Sequence, residues 1–211
     1  MKGICFTEPL FHKVLKGEKT QTRRIINPEP IIKNDWFIRE IEGWKNSPFG
    51  VVSKYSDCEP ERFEIMQLLK PKYKVGEKVY LKEPYSIIAD YEKGLITKYK
   101  FDYPASFSHK WSNKLFMPKS AARYFIEITA VRAERLQEIS EEDCIKEGIE
   151  YSPEAVPVGY PFGVEFPYNN GFHNYTTAKE AYAALINRIN GKGTWEKNPF
   201  VWVYDFRLIE K

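Results

Sequence analysis

A cluster of basic and hydroxyl side chains near the start of the chain has the residue types and the spacing to do chemistry. The nine residues 17–25, GEKTQTRRI, place one lysine, two threonines and two arginines directly after a glycine. Ammonium, guanidinium and hydroxyl groups all hydrogen-bond to anions or to amide carbonyls. We therefore expect this segment to hold an anionic or amide-rich ligand.

Two predicted elements position this cluster. Residues 3–6 are typical of a first strand, and Thr7 is expected to cap a helix whose apolar residues recur at helical spacing. Gly17 ends that helix, as a glycine just past a helix end does, and the β-branched residues of 20–26 predict a strand. The cluster therefore spans a turn from helix to strand.

The turn decides which side chains of the cluster can converge, for example Lys19 with Thr22. In an uninterrupted strand, the two side chains would point to opposite faces. They converge only if Lys19 precedes the strand or if a bulge intervenes, and Gly17 favours the first arrangement.

The rest of the chain predicts an α+β fold. Strands are expected at 51–55, 63–69, 79–83, 95–101, 124–132 and 200–208, and helices from Ser140 to Gly148 and from Thr177 to Gly191. The second of these helices should bury a stripe of Tyr182, Leu185, Ile186 and Ile189. Prolines, glycines and asparagines predict a long loop at about 151–175. About three helices spread among many strands favour a mixed sheet or small β-barrel.

Composition limits the class of protein. A length of 211 residues with 43% hydrophobic content predicts one globular domain over residues 1–211. Because the net charge is only +3, any attraction to nucleic acid must come from local clusters of basic residues. Three scattered cysteines and three histidines predict no disulfide framework, no metal site and no cofactor. Without a signal-peptide pattern or a long apolar run, we expect a cytoplasmic protein that does not enter a membrane.

Residues 17–24, GEKTQTRR, resemble the GxKxxxxR signature of the ASCH domain family. Four further stretches look like a phage and prophage branch of that family: GEKVYLKEPY at 76–85, FMPKSAAR at 116–123, ERLQEISEEDCIKEG at 134–148 and NPFVWVYDF at 198–206. The resemblance implies a small β-barrel of the PUA-like type, a class linked to RNA. Against compact members, this chain has an insertion at about 31–72 and the loop at about 151–175.

The resemblance also implies a reaction. Small bacterial ASCH proteins of one branch hydrolyse the acetyl amide of N(4)-acetylcytidine with a lysine, a threonine and a glutamate, which fall here on Lys19, Thr22 and Glu147. The expected partner is thus a nucleoside or RNA, and the expected activity is that of an amidohydrolase. The alternatives are an RNA-binding module without activity and an RNA-cleaving enzyme in which Lys19 and Arg24 stabilise the phosphate transition state.

Two roles for Lys19 stay open at this point. A neutral Lys19 could attack the amide if Arg23 or Arg24 lowers its pKa. A charged Lys19 could instead polarise the carbonyl while Glu147 handles protons and Thr22 positions water.

Further ligand-binding residues are expected beyond these three. Arg23 and Arg24 belong to the cluster itself. Glu83 shares a strand face with apolar residues and needs a cationic partner, for which Arg24 and Lys19 are the candidates. Lys119 and Arg123 are expected to contact phosphates, together with Lys114, and Trp111 or Phe116 is available to stack on a base.

Overall fold

The computed structural model describes residues 1–33, 36–41, 49–56, 59–104, 106–166 and 171–209. Its strands are β1 (Gly3–Cys5), β2 (Gln21–Ile25), β3 (Phe37–Glu40), β4 (Phe49–Ser56), β5 (Glu59–Leu69), β6 (Lys78–Lys82), β7 (Tyr85–Asp90), β8 (Gly94–Tyr99), β9 (Phe125–Arg135), β10 (Glu150–Tyr151), β11 (Phe162–Glu165), β12 (Phe172–Tyr175) and β13 (Phe200–Ile209). Its α-helices are α1 (Glu8–Leu15), α2 (Glu141–Lys146), α3 (Ala178–Asn190) and α4 (Thr194–Lys197).

A five-stranded mixed sheet forms the centre of the fold. Its strand order is β1-β6-β9-β13-β2, with β1 parallel to β6 and the other pairs antiparallel. The long strands β9 and β13 pair along their length, with a register shift between Asp205 and Phe206. The predicted α+β class with a mixed sheet is confirmed.

The two edge strands of this sheet come close together. In a flat sheet of five strands, the edges would lie about 19 Å apart. Instead, the Arg24 guanidinium of β2 donates a hydrogen bond of 2.8 Å to the Cys5 carbonyl of β1. The sheet is therefore strongly curled, but β1 and β2 do not pair as strands in the described part of the chain, so a closed barrel is not confirmed.

The predicted insertion contributes a second sheet. Strands β3, β4 and β5 pair antiparallel, and two of them contain the strands expected at 51–55 and 63–69. Phe49 and Val51 of β4 and Leu69 of β5 are buried in the main core cluster, which also contains Ile4 and Phe206 of the central sheet. The insertion thus packs against the central sheet.

The prediction of a loop at 151–175 is wrong for much of its described part. Strands β10, β11 and β12 form a three-stranded antiparallel sheet, and residues 153–158 form a 3₁₀ helix. Val164 of β11 is buried in the main core. These strands are only two to four residues long, so they carry too little alternation for a sequence pattern to reveal them.

The remaining elements follow their predictions with small differences. The strand expected at 95–101 is β8, whose hairpin partner β7 was not foreseen. Helix α3 buries Tyr182, Leu185 and Ile186, whereas Ile189 is 38% exposed and does not complete the expected stripe. Among the described residues, no helix is long and apolar enough to cross a membrane.

Candidate active site

The turn after α1 places Lys19 before strand β2, as predicted. Helix α1 ends at Leu15, and Gly17 has a φ of +76°, a backbone conformation that other residues rarely adopt. The backbone N–H groups of Glu18 and Lys19 both donate to the Lys13 carbonyl, at 2.9 and 3.1 Å. No bulge is needed to bring Lys19 toward Thr22.

Helix α2 carries Glu147 to the same place. The Ser140 hydroxyl caps the helix by accepting from the Asp143 N–H at 3.1 Å, and Glu147 is the C-cap residue. Gly148 has a φ of +102°, and a Cβ there would lie 3.1 Å from the Leu10 side chain. A larger residue would therefore strain the backbone and press on α1, so the position of Glu147 depends on this glycine.

The turn and the helix end join through the backbone and through a buried ion pair. The Thr20 N–H donates to the Lys146 carbonyl at 3.0 Å, which ties the turn to α2. The Lys19 ammonium lies 2.7 Å from a carboxylate oxygen of Glu147, and the two side chains are 1% and 5% exposed. Two residues 128 positions apart in sequence thus meet in the interior.

All three N–H groups of the Lys19 ammonium have acceptors. They are the Glu147 carboxylate at 2.7 Å, the Glu147 carbonyl at 2.7 Å and the Gln21 carbonyl at 2.8 Å. This arrangement suits the charged form, and it leaves no N–H for a ligand. Polarisation of a substrate carbonyl by Lys19 is therefore disfavoured.

Burial nevertheless lowers the pKa of the Lys19 ammonium below its ordinary value of 10.5. Glu147 acts in the opposite direction and raises it, whereas the charges of Arg24 and Arg23 lower it further. Lys19 therefore loses its proton at a lower pH than an ordinary lysine does.

Arg23 holds the other side of Glu147. Its side chain has no exposed surface, and its five N–H donors are directed at Glu134, Asp143, Gln21 and Glu147. The bond to the second Glu147 carboxylate oxygen is 3.2 Å long. All five donors of Arg23 are thus engaged within the protein, and this residue orients Glu147; its role as a ligand contact stays a prediction.

The three expected catalytic residues line one cavity, which we call the Lys19 cavity. Its volume is about 210 Å³. Lys19, Thr22 and Glu147 lie on its wall together with Cys5, Phe6, Thr7, Leu10, Arg23, Arg24, Lys114, Tyr182, Leu185, Ile186, Ile189 and Asn190. Thr22 is 4% exposed, and its hydroxyl has no hydrogen-bond partner within the described ranges. Thr22 is therefore the expected catalytic residue whose polar atom stays available to a ligand.

Two residues of this wall were not foreseen as functional. Tyr182 was expected in the apolar stripe of α3, yet its buried hydroxyl has no partner among the described residues. Thr7 occupies the expected N-cap position of α1, but its hydroxyl makes no capping bond and is also buried without a described partner. A tyrosine in an otherwise aliphatic stripe was the available signal for the first, and the sequence offers none for the second.

Burial raises the pKa of the Tyr182 hydroxyl well above its ordinary value of 10.0, and the neighbouring Glu147 charge raises it further. The hydroxyl therefore keeps its proton at neutral pH. It can donate a hydrogen bond to a ligand.

Arg24 and Lys114 belong to the Lys19 cavity, and both are held by backbone carbonyls. Arg24 binds the Cys5 carbonyl and lies 5.5 Å from the centre of the Phe6 ring. The Lys114 ammonium donates to the Phe6 carbonyl at 2.6 Å, and burial lowers its pKa. Arg24 stays compatible with its predicted role as a ligand contact.

Other predicted ligand contacts lie away from this cavity. Glu83 is completely buried, and its two carboxylate oxygens accept from Arg123 at 2.7 and 2.8 Å. Its partner is thus Arg123, which also binds Asp102, and the prediction of Arg24 or Lys19 as partner is wrong. Lys119 is exposed at the start of a 3₁₀ helix and does not line the cavity.

The described ranges contain no group of three or more His, Cys, Asp or Glu side chains that could hold a metal ion. Cys5 and Cys144 are both free thiols. No protein-family model, curated protein or solved structure matches the chain.

Proposed function

We propose that the protein is an ASCH-type amidohydrolase that removes the acyl group from an N(4)-acylated cytidine, with N(4)-acetylcytidine as the first candidate substrate. One observation carries this proposal: Lys19, Thr22 and Glu147 are all buried residues and line a single cavity. These are the three residues onto which the resemblance maps the reaction. The curled mixed sheet supports assignment to the PUA-like class, with the edge strands bridged by the bond from the Arg24 side chain to the Cys5 carbonyl.

The size and lining of the cavity fit a modified base. Pockets for drug-sized ligands usually measure about 300–1,000 Å³. A volume of about 210 Å³ suits a smaller group, such as an acylated pyrimidine. Leu185, Ile186 and Ile189 of α3 offer apolar surface to its ring, while Thr22 and Tyr182 offer hydroxyls.

The proposed reaction begins at the Thr22 hydroxyl. Its oxygen forms a bond to the acyl carbon, and its proton passes to the neutral form of Lys19, in which a lone pair replaces one of the three N–H groups that the ammonium directs at protein acceptors. Glu147 then stabilises the Lys19 ammonium that results, as the carboxylate of a catalytic triad stabilises its base. The Tyr182 hydroxyl is the donor available to the negative charge that develops on the acyl oxygen.

The second half of the reaction restores the enzyme. The bond between the acyl carbon and N4 breaks, and N4 takes the proton from Lys19 to leave as the amino group of cytidine. Water then adds to the acyl ester on Thr22 and gives its proton to Lys19. The bond between the Thr22 oxygen and the acyl carbon breaks, the Thr22 oxygen takes this proton back from Lys19, and a carboxylic acid is released. Every proton that Lys19 accepts is returned.

The rate of deacylation is expected to rise with pH. Below its pKa Lys19 is protonated and cannot act as a base, so kcat/KM should increase tenfold per pH unit and then level off at a pH below 10.5. Because Glu147 raises the pKa of Lys19, the residual activity of Glu147→Gln should level off at a lower pH. Initial rates from about pH 6 to 10 test this. A rate that falls over this range would contradict the proposed role of Lys19.

Replacement of Tyr182 by phenylalanine is expected to lower the deacylation activity without lowering the stability of the fold. The change removes a buried hydroxyl without a described partner, so the free energy of unfolding should stay constant or rise by about 1–3 kcal/mol. The kcat of deacylation should fall about 10²-fold, because a donor to the developing oxyanion is lost. Urea unfolding and steady-state kinetics give the two values.

Tyr99→Phe is the matched control for that substitution. The Tyr99 hydroxyl donates to the Ala121 carbonyl at 2.9 Å and lies outside the Lys19 cavity, so this variant should lose about 1 kcal/mol of stability and keep its kcat. If Tyr182→Phe is destabilised and fully active, the hydroxyl has a structural role only.

Cleavage of RNA receives less support from this site. It would require Lys19 and Arg24 to stabilise a phosphate, but the three Lys19 N–H groups already have acceptors within the protein. Unmodified RNA should therefore remain uncleaved after incubation with the protein. Release of free acetate from the acetylated nucleoside would distinguish the proposed hydrolase from a protein that only binds RNA.

A further inference from the structure

A second cavity adjoins the Lys19 cavity and is lined by cations. Its volume is about 430 Å³. The charged side chains on its wall are Arg24, Lys70, Lys72 and Lys82, and no aspartate or glutamate lines it among the described residues. We call it the lysine-lined cavity. Its other lining residues are Gly3, Ile4, Cys5, Ile25, Asn27, Tyr73, Leu115, Trp202 and Tyr204.

In the part of the chain that the structure describes, the four cations lack acidic partners. Within the described part of the chain, none of them has a carboxylate oxygen within 4.0 Å, in contrast to Lys2, which pairs with Glu77 at 3.2 Å. Lys82 donates to the Leu115 carbonyl and Arg24 to the Cys5 carbonyl, so two of the charges are anchored but not neutralised. Unpaired cations around one cavity favour an anionic ligand.

The two cavities share part of their wall. Cys5 and Arg24 line both of them, and the bond between the Arg24 guanidinium and the Cys5 carbonyl bridges the two edge strands of the curled sheet. A ligand with its base in the Lys19 cavity would therefore have its anionic part beside Arg24. Phe116, next to the lining residue Leu115, is 79% exposed and available to stack on a neighbouring base.

We propose that the lysine-lined cavity is a phosphate subsite, so that the substrate is a nucleotide or an oligoribonucleotide rather than a free nucleoside. This inference rests on the proposed function, because it places the acylated base in the Lys19 cavity. Phosphate oxygens are bound well by arginine and lysine side chains, and such contacts fix the register of a nucleic acid strand. Arg24 would then stand between the base and its phosphate.

The test compares three substrates that carry the same acetylated base. They are N(4)-acetylcytidine, its 5′-monophosphate and a trinucleotide with the modified base in the middle. We expect kcat/KM for at least one phosphate-bearing substrate to exceed that of the nucleoside about tenfold or more at low salt, and the preference to weaken as salt rises. A preference for the monophosphate identifies a terminal phosphate as the ligand, and a preference for the trinucleotide identifies a phosphodiester.

Substitution of Lys70 and Lys72 by glutamine tests the cavity itself. Both side chains are exposed, and the hydrogen bonds that Lys72 makes with other described residues use its backbone atoms, so the fold should be preserved. The ratio of kcat/KM between the preferred phosphate-bearing substrate and the nucleoside should fall about tenfold toward unity. Lys93→Gln with Lys197→Gln removes the same charge from exposed positions outside both cavities and should leave the ratio unchanged.

The outcomes separate this inference from the proposed function. Equal kcat/KM for all three substrates, or equal effects of the two double variants, would overturn the phosphate subsite while deacylation stands. Absence of deacylation with every substrate would show that the proposed hydrolysis fails. The phosphate subsite would still stand if an unmodified cytidine trinucleotide binds with a salt-dependent affinity and the variant of Lys70 and Lys72 loses this binding.

Discussion

Glutamine in place of Glu147 is expected to lower kcat/KM for deacylation of N(4)-acetylcytidine by about 10²–10⁴-fold. The carboxylate lies 2.7 Å from the Lys19 ammonium and 3.2 Å from the Arg23 guanidinium. In the proposed reaction, its charge stabilises the ammonium that forms when Lys19 takes a proton, and a neutral amide would stabilise it far less. Steady-state kinetics of the purified variant measure the loss.

Two further variants make that result specific. Glu142→Gln changes an exposed residue of the same helix, α2, and should retain full activity. Thr22→Val preserves side-chain shape and leaves the ion pair between Lys19 and Glu147 in place, so it should lose a similar factor in kcat with an unchanged midpoint of unfolding. If Glu147→Gln does not fold, the valine variant still tests the site. Wild-type activity in both would remove Thr22 and Glu147 from the mechanism.

Leucine in place of Arg23 is expected to reduce the free energy of unfolding by about 3–5 kcal/mol. Arg23 has no exposed side-chain surface, and its loss would leave buried or partly buried carboxylates of Glu134, Asp143 and Glu147 with fewer cationic partners. Such a loss costs more than the ion pairs contribute, because the remaining charges stay out of water. Urea unfolding followed by tryptophan fluorescence gives the value.

Arg207→Leu provides the surface comparison. Arg207 also binds a carboxylate at 2.6 Å, that of Glu127, but its side chain is 69% exposed, so the variant should lose only about 0–1 kcal/mol. Arg23→Lys should recover little of the lost stability, since one ammonium cannot replace a fork of five donors. Similar small losses for Arg23→Leu and Arg207→Leu would show that the buried network does not hold the site together.

Local signals predicted the turn and the helix ends that hold the candidate site residues. Gly17 marked the turn that carries Lys19, and Ser140 and Gly148 marked the ends of the helix that carries Glu147. Each signal depends on backbone conformation or on capping within a few residues, which the sequence displays directly. That Lys19 and Glu147 meet was expected from the resemblance, and the structure adds the backbone bond from Thr20 to the Lys146 carbonyl that joins their segments.

The contacts between residues far apart in sequence could not be predicted from residue types. Glu83 was expected to need a cation, but which cation approaches it is decided by the packing of β6 against the segment that holds Arg123. The sheet of β10, β11 and β12 depends on pairing between strands too short to show a period. Tyr182 fitted a helical stripe. It differs from an ordinary core residue only in that its hydroxyl, beside the cavity, has no partner among the described residues.

The most direct measurement of the central claim is product formation from N(4)-acetylcytidine by the wild-type protein and by Thr22→Val, followed by liquid chromatography. We expect the wild-type protein to release cytidine and acetate in equal amounts over many turnovers, and the valine variant to release almost none. No conversion by the wild-type protein, or equal conversion by both proteins, would contradict the proposed amide hydrolysis at Lys19, Thr22 and Glu147.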